Sequence, residues 1–533
     1  MIEVWVGIAA CIPCVCLFFA ASVRLLGIAQ QCGYKNAQIL RWLKRKDNLF
    51  FNRLTLWGTM GFLTSAIVAL CFSPLGVAAA RVASALPFFL FSALFLIAER
   101  KYALKVPLKA TGRVRRISVV YILLLACVSY LLIALLDFLS AVIGKELYGV
   151  FAFTPFALIA PILLPFVFIA ANFLDGIFEE LRNKKFVKRA GQVLNETEIT
   201  RVAIVGSYGK TSVKNILATI LSQKFQVVAT PESYNTPMGI AKTVFSENFQ
   251  GKQVFIAEMG ARKTGDIAEL CGLVKPDHAI FTGVCAQHIQ SFGSEENVFK
   301  AKCEILAGVK ENGAIVCGNG LAERIAASGA ERAVEKGAEI SSLALGAKQT
   351  EFVLTLGEEK IAVCTKLLGK HNAENIALAA KLAYEMGLTA KEIAAGVAAL
   401  EYIPHRLQLL ENGGRYILDD AYNANEKGAK EAIEALNRFE GKKWLVTPGI
   451  VEGGILEEAL NARLGEQIAK AELDRVILVG ETLVGAVKNG YLEAGGNAEN
   501  LTVVKTLSLA QKELGGLAAG DCVLFLNDLP DAY

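Results

Sequence analysis

The sequence predicts a multi-pass α-helical membrane domain followed by two α/β domains, and three observations carry that expectation. Of 533 residues, 53% are apolar and 20% charged, against roughly 45–50% and about 25% in ordinary soluble chains, and the mean hydropathy is +0.42. Almost all of the apolar excess lies before about residue 175. From Arg201 onward, strand-like and helix-like patterns alternate between glycine-rich turns, as in layered α/β structure. The net charge of +4 supplies no global field to draw nucleic acid, and the apolar content excludes disorder as the main state.

Four charge-poor stretches occupy the front. Ile2–Val23 carries only Glu3, Leu54–Ala98 only Arg81, and Ile117–Leu136 and Gly149–Leu174 carry no charge. A spanning helix needs about 20 apolar residues. The second stretch is long enough for two passes around Ser73-Pro74-Leu75-Gly76, so five helices are expected. The first lacks the basic region of a cleaved signal peptide and reads as a retained helix. Pro155, Pro161 and Pro165 are expected to interrupt the fifth. Arg24–Arg53 holds seven Lys/Arg against one Asp, Glu99–Arg116 seven against one Glu, and Arg182–Arg189 five more. By the positive-inside rule these loops and everything after residue 180 face the cytoplasm, and five passes leave the N-terminus outside. The twelve cysteines show no metal spacing, and those of the first helix read as small apolar filler.

In the second part, Val202–Val205 reads as a buried strand leading into Gly206-Ser207-Tyr208-Gly209-Lys210-Thr211-Ser212 and a helical run, Val213–Gln223. A glycine-rich turn opening a helix can wrap a phosphate with its free N–H groups, while Lys210 reaches the outer phosphates and the Thr211 hydroxyl ligates Mg²⁺. A second strand, Gln253–Ala257, is followed by Glu258, which places a carboxylate at the sheet edge where open α/β sheets bind ligands. A third, His278–Thr282, leads to His288, and a later helix carries Lys302. A surface lysine is the bland alternative for Lys302, and a strand-end turn for Asp419 and Asp420.

Those residues resemble the Mur ligase family, the ATP-dependent amide-forming ligases of bacterial cell-wall synthesis, most closely the MurF-like branch that adds D-alanyl-D-alanine. The resemblance runs from about Thr200 to Tyr533. It rests on seven ordered segments: Gly206–Ser212, Tyr234–Gly239, Glu258-Met259-Gly260, Ala301–Ile305 downstream of His288, Gly369–Asn375, Pro404–Leu407 and Asp419–Asn425. It implies that Gly206, Ser207, Gly209, Lys210, Thr211 and Ser212 hold ATP phosphates. It further implies that Thr211, Glu258, His288 and Lys302 serve Mg²⁺, Lys302 as a carbamate. Asn235 matches a substrate-side position. Asn372 and Asn375 would lie near the nucleotide, Arg406 would reach its phosphates, and Asp420 would contact ribose. Lys210, His288, Lys302 and Arg406 are the implied catalytic set.

The chain departs from the family pattern at Tyr208, where the family usually has Asn, and at Gly283, where it has Asn again. Other departures are Thr447–Glu452 and the C-terminal Leu526–Tyr533, which fall in the domain that chooses the amine. The family's opening domain, which holds the uridine nucleotide of the substrate, has no counterpart before residue 195.

The expected organisation is a transmembrane domain at 1–175 and a basic cytoplasmic linker at 176–199. A central P-loop ATPase-type domain follows at 200–403 and a C-terminal Rossmann-like domain at 404–533. The expected activity is membrane-anchored, ATP- and Mg²⁺-dependent ligation through an acyl phosphate. It joins an amino acid or peptide amine to a carboxylate-bearing cell-envelope or peptidoglycan precursor at the bacterial inner membrane. The bilayer is the other expected partner, nucleic acid is not, and a membrane partner protein is compatible with the sequence. Two alternatives stay open: a polyglutamate-type synthase, and a nucleotide-regulated membrane transporter whose Mur-like domain does not ligate.

Overall fold

The computed structural model describes residues 2–44, 48–102, 107–142, 153–285, 292–422, 425–451, 456–480 and 482–527. Apolar runs with sparse charge become helices α1 (Ile2–Gln31), α3 (Phe50–Phe72), α4 (Val77–Glu99), α5 (Gly112–Val142) and α6 (Phe153–Glu196). All five are long and apolar enough to cross a membrane. A short helix α2 (Asn36–Lys44), with Arg41 and Lys44 in its last turn, lies between the first two. The turn expected at Ser73–Gly76 is a single 3₁₀ turn, Ser73–Leu75. The expected interruption of the fifth helix does not occur, because α6 runs as one element through Pro161 and Pro165.

Aromatic rings fill the centre of this bundle. Trp57 stacks on Phe95 with centroids 5.2 Å apart, and Phe18 meets Phe88 edge-on at 5.7 Å. Polar groups tie helices inside the bundle: Ser22 pairs with the Tyr121 hydroxyl at 2.7 Å, and Tyr121 donates to the Leu164 carbonyl at 3.2 Å. Buried acids each take two arginines from neighbouring helices. Glu99 accepts from Arg24 and Arg53, and Asp175 from Arg113 and Arg116.

The chain divides into two units, the first ending at Arg182 and the second starting at Asn183. Residues 176–199, expected as a linker, are helical as far as Glu196. Phe186, Val187, Ala190, Val193 and Leu194 repeat at helical spacing and pack into the second unit's core. A basic count alone hides that apolar face.

The second unit opens with a parallel sheet in the order β2-β3-β1-β4-β5-β6. Its strands are β1 (Thr200–Val205), β2 (Val227–Ala229), β3 (Val254–Met259), β4 (His278–Phe281), β5 (Ile315–Cys317) and β6 (Glu335–Lys336). Strands β1 and β3 are buried along nearly their whole length, so the sheet is covered on both faces. Helices α7 (Lys210–Leu221), α8 (Pro237–Ser246), α9 (Asp266–Val274) and α10 (Glu295–Gly308) flank it. Strands β7 (Glu339–Leu345), β8 (Thr350–Leu356) and β9 (Glu359–Thr365) form a small antiparallel sheet. Helices α11 (Asn319–Ala327), α12 (Lys370–Glu385) and α13 (Ala390–Ala398) complete this part.

The last part is a six-stranded sheet in the order β10-β11-β15-β12-β13-β14. It comprises β10 (Gln408–Asn412), β11 (Arg415–Asp420), β12 (Lys443–Thr447), β13 (Arg475–Val479), β14 (Leu501–Val504) and β15 (Cys522–Leu526). Helices α14 (Glu426–Leu436), α15 (Glu457–Lys470) and α16 (Val484–Glu493) pack on it. Only the β10–β11 pair is antiparallel among these strands. Burial pushes the thiols of Cys271, Cys317 and Cys522 up to about 12, which makes them inert filler.

Candidate active site

Parallel pairing of β1 with β3 and β4 brings three strand ends to one edge, so that Ile204 stands beside Glu258 and Val205 beside Phe281. The chain then turns through Gly206–Gly209 into α7. A side chain at Gly206 would force Thr282 or the loop to shift, because its Cβ would fall 1.9 Å from Thr282 Oγ1. Gly209 has φ of 75°, a left-handed conformation suited to glycine, and its Cβ would lie 2.9 Å from Asn375 Oδ1. The resulting loop exposes the N-terminus of α7 to a cavity of about 1540 Å³.

Every expected site residue lines that cavity except Asn372 and His288. His288 lies outside the described residues. Asn372 is buried away from the cavity, where its amide donates to the Leu368 carbonyl at 2.8 Å. Its Oδ1 faces Asn375 Nδ2 at 3.4 Å, so Asn372 orients Asn375 rather than meeting a ligand itself.

Glu258 is the hub, only 1% exposed. One carboxylate oxygen accepts from Thr211 Oγ1 at 3.0 Å and Lys214 Nζ at 3.3 Å, and the other from Asn235 Nδ2 at 3.0 Å. Asn235, expected on the substrate side, therefore also orients the carboxylate. Gly260 makes room for it, since a Cβ there would lie 2.9 Å from the Asn235 amide. Lys214 was not singled out from the sequence. Its signal was available, because it occupies the apolar face of α7 beside Val213, Ile216 and Leu217, where a charge needs a buried partner.

Two further lysines converge on the loop. Lys210 Nζ folds back to the Gly206 carbonyl at 2.9 Å and the Ser207 carbonyl at 3.4 Å. Lys302 Nζ meets the same Gly206 carbonyl at 3.0 Å and is 3% exposed, so it is no surface lysine. Burial, aided by the neighbouring Lys210 charge, pulls the Lys302 ammonium down to about 7. Burial also lowers Lys210, although Glu258 opposes that shift.

From the last part come Arg406 and Asp420. Arg406 lies over the Tyr422 ring at 4.2 Å. It is flanked by His405 and Leu407, non-glycine residues with φ of 58° and 48°. Those conformations are held by β11: His405 Nδ1 pairs with Asp419 Oδ2 at 2.8 Å, and Leu407 N–H donates to Asp420 Oδ1 at 3.1 Å. Burial raises Asp420 above the usual carboxylate range. Asp419 and Asp420 thus do end a strand, and they also brace the turn that aims Arg406.

The profile described as "Mur ligase middle domain" matches residues 204–383, and "Mur ligase, glutamate ligase domain" matches residues 405–526. The UDP-N-acetylmuramoyl-tripeptide--D-alanyl-D-alanine ligase of Escherichia coli (strain K12) is 32% identical over 309 residues, covering 56% of this chain and 68% of the relative. The chain belongs to the Mur ligase family. The enzyme of the same name from Bacillus subtilis (strain 168) is 29% identical, covering 62% of this chain and 74% of its own length. A crystal structure of MurF ligase from Thermotoga maritima in complex with ADP aligns with a TM-score of 0.58 at 25% identity, over 66% of this chain and 81% of that one. MurF from Acinetobacter baumannii gives 0.59 at 21%, over 66% and 78%.

This Mur ligase is MurF-like, and members of its family are ATP-dependent ligases that form amide bonds, using Mg²⁺. The residues suit that pair. The glycines at 206 and 209 let the loop pack against Thr282 and Asn375 and leave the N-terminus of α7 open to the cavity, and Thr211 and Glu258 offer the hard oxygen donors that Mg²⁺ takes.

Proposed function

We propose that this Mur ligase is a membrane-anchored amide ligase that works through an acyl phosphate on a peptidoglycan or related envelope precursor. The observation that carries this reading is the convergence of Lys210, Lys302, Glu258 and Arg406 on one cavity at the helix N-terminus.

In the first step a substrate carboxylate oxygen attacks the γ-phosphorus of ATP, the bond to the β-phosphate oxygen breaks, and ADP leaves. In the second an amine nitrogen attacks the acyl carbon, the tetrahedral intermediate expels inorganic phosphate, and the nitrogen loses a proton. Both steps gather negative charge on oxygens. Lys210 and Arg406 counter that charge from opposite sides of the cleft. Mg²⁺, held through Thr211, Glu258 and carbamylated Lys302, would neutralise phosphate charge. Lys302 is suited to carbamylation because a buried amine near its pKa at neutral pH has the free lone pair that attacks CO₂, releasing one proton. Thr211 and Asn235 hold the Glu258 carboxylate, and Asn372 holds Asn375.

By likeness to the curated relatives, the acid is a muramoyl tripeptide and the amine D-alanyl-D-alanine. The helical unit favours an acid that is lipid-linked or part of a polymer, with the catalytic unit in the cytoplasm and the five helices in the membrane. Incubation of the full chain with ATP, D-alanyl-D-alanine and either a nucleotide-linked or a lipid-linked tripeptide precursor tests this. A mass increase of one dipeptide less one water, on either acceptor, is expected. The acceptor that reacts names the carrier, and no product on either contradicts the reading.

A further inference from the structure

Two departures from the family pattern touch each other. Tyr208 stands in the phosphate loop and Gly283 in the turn after β4, and a Cβ at Gly283 would fall 2.3 Å from the Tyr208 hydroxyl oxygen and 2.5 Å from Cζ. The ring therefore fills the space that any side chain at 283 would need. Tyr208 in this position requires glycine at 283.

The ring also receives a charge from the last domain. Lys427, in the first turn of α14, places its ammonium 5.4 Å from the Tyr208 ring centroid. The same ammonium lies 3.4 Å from Glu374 Oε2 on α12. One turn on, Glu431 accepts from Lys370 N–H at 3.2 Å and lies 3.7 Å from His371 Nδ1. Helix α14 thus docks on both the N-terminus of α12 and the phosphate loop, and an Asn at 208 would offer no aromatic face to it. Burial raises Tyr208 above the ordinary phenol range, so Lys427 meets a neutral ring.

We propose that Tyr208 and Gly283 are a matched pair that makes the phosphate loop a docking point for the last domain, with Tyr208 a positioning residue that receives Lys427. The consequence rests on the ligase reading. Docking of the last domain is what sets Arg406 over the nucleotide, so phosphates that order the loop also favour the closed arrangement.

The test is a double-mutant cycle on the purified full chain: Tyr208→Leu, Lys427→Met and both, read as Kd for Mg²⁺-ADP and as KM for ATP. Each single variant weakens both constants about three-fold, and the double variant is no worse than the weaker single. Effects that multiply independently overturn the proposal. Tyr208→Phe retains the coupling to Lys427, and its loss there would contradict a role for the ring face. Gly283→Asn displaces the ring and weakens ADP as Tyr208→Leu does. Tyr208→Asn with Gly283→Asn restores the thermal midpoint without restoring sensitivity to Lys427→Met, which keeps the test decisive if Gly283→Asn alone does not fold. Because ADP binding is read without ligation, a coupled cycle in a chain that makes no amide bond would sink only the ligase reading. A working ligase with an uncoupled cycle would sink only this one.

Discussion

Lys302 is the residue on which the chemistry leans most. Its folded-state pKa of about 7 lies below the ordinary lysine range, so between those limits the unfolded chain binds more protons and stability rises with pH. The neutral amine also becomes the major form as pH climbs through about 7, and carbamate, read by NMR of ¹³C-labelled bicarbonate, should rise with it. Lys302→Ala should abolish turnover, with partial rescue by a short carboxylic acid. Undiminished turnover would refute the assignment. Lys214→Met should destabilise the second unit, because it strands Glu258 without its buried counter-charge. Breaking such a pair costs roughly 3–5 kcal/mol, and Lys214→Met with Glu258→Met should unfold at a higher temperature than Lys214→Met alone. Glu258, Lys302 and Arg406 were legible in the sequence because each sits in an ordered motif. Lys214 was passed over although its place on the apolar face of α7 signals a buried partner, because that partner, Glu258, is distant in sequence; the role of Asn372 was not legible, because it turns on which way a side chain of α12 is buried and not on the motif.

At the scale of elements, the phosphate loop depends on two packed strand ends. Gly206→Ala drives a methyl into Thr282 and should weaken Mg²⁺-ADP on the order of tenfold, measured by calorimetry. Wild-type affinity would show that the loop is not built on that contact. Periodicity located β1, β3 and β4 to within a residue or two, since buried parallel strands read as short apolar runs. It missed the amphipathic turns of α6 after residue 182 because five apolar residues there are spaced among basic ones. The prolines leave α6 one continuous helix through Pro161 and Pro165, where neighbouring helices can satisfy the freed carbonyls.

Across the whole molecule, a front unit of apolar helices and a MurF-like catalytic unit share one chain. The apolar excess was legible because it is concentrated in runs of about 20 residues; the two substrates were not, because the family's acid-holding opening domain has no counterpart in the sequence and the last-domain departures fall where the amine is chosen. In sealed vesicles, protease added from the cytoplasmic face alone should cut after residue 180, and cutting from the opposite face would reverse the proposed topology. The central claim is that the cavity couples ATP cleavage to amide formation. Phosphate release from ATP by the purified full chain, measured with the carboxylate acceptor and the amine supplied singly and together, tests it most directly. The account predicts sustained release only when both are present and none after Lys302→Ala; release that ignores either substrate would contradict it.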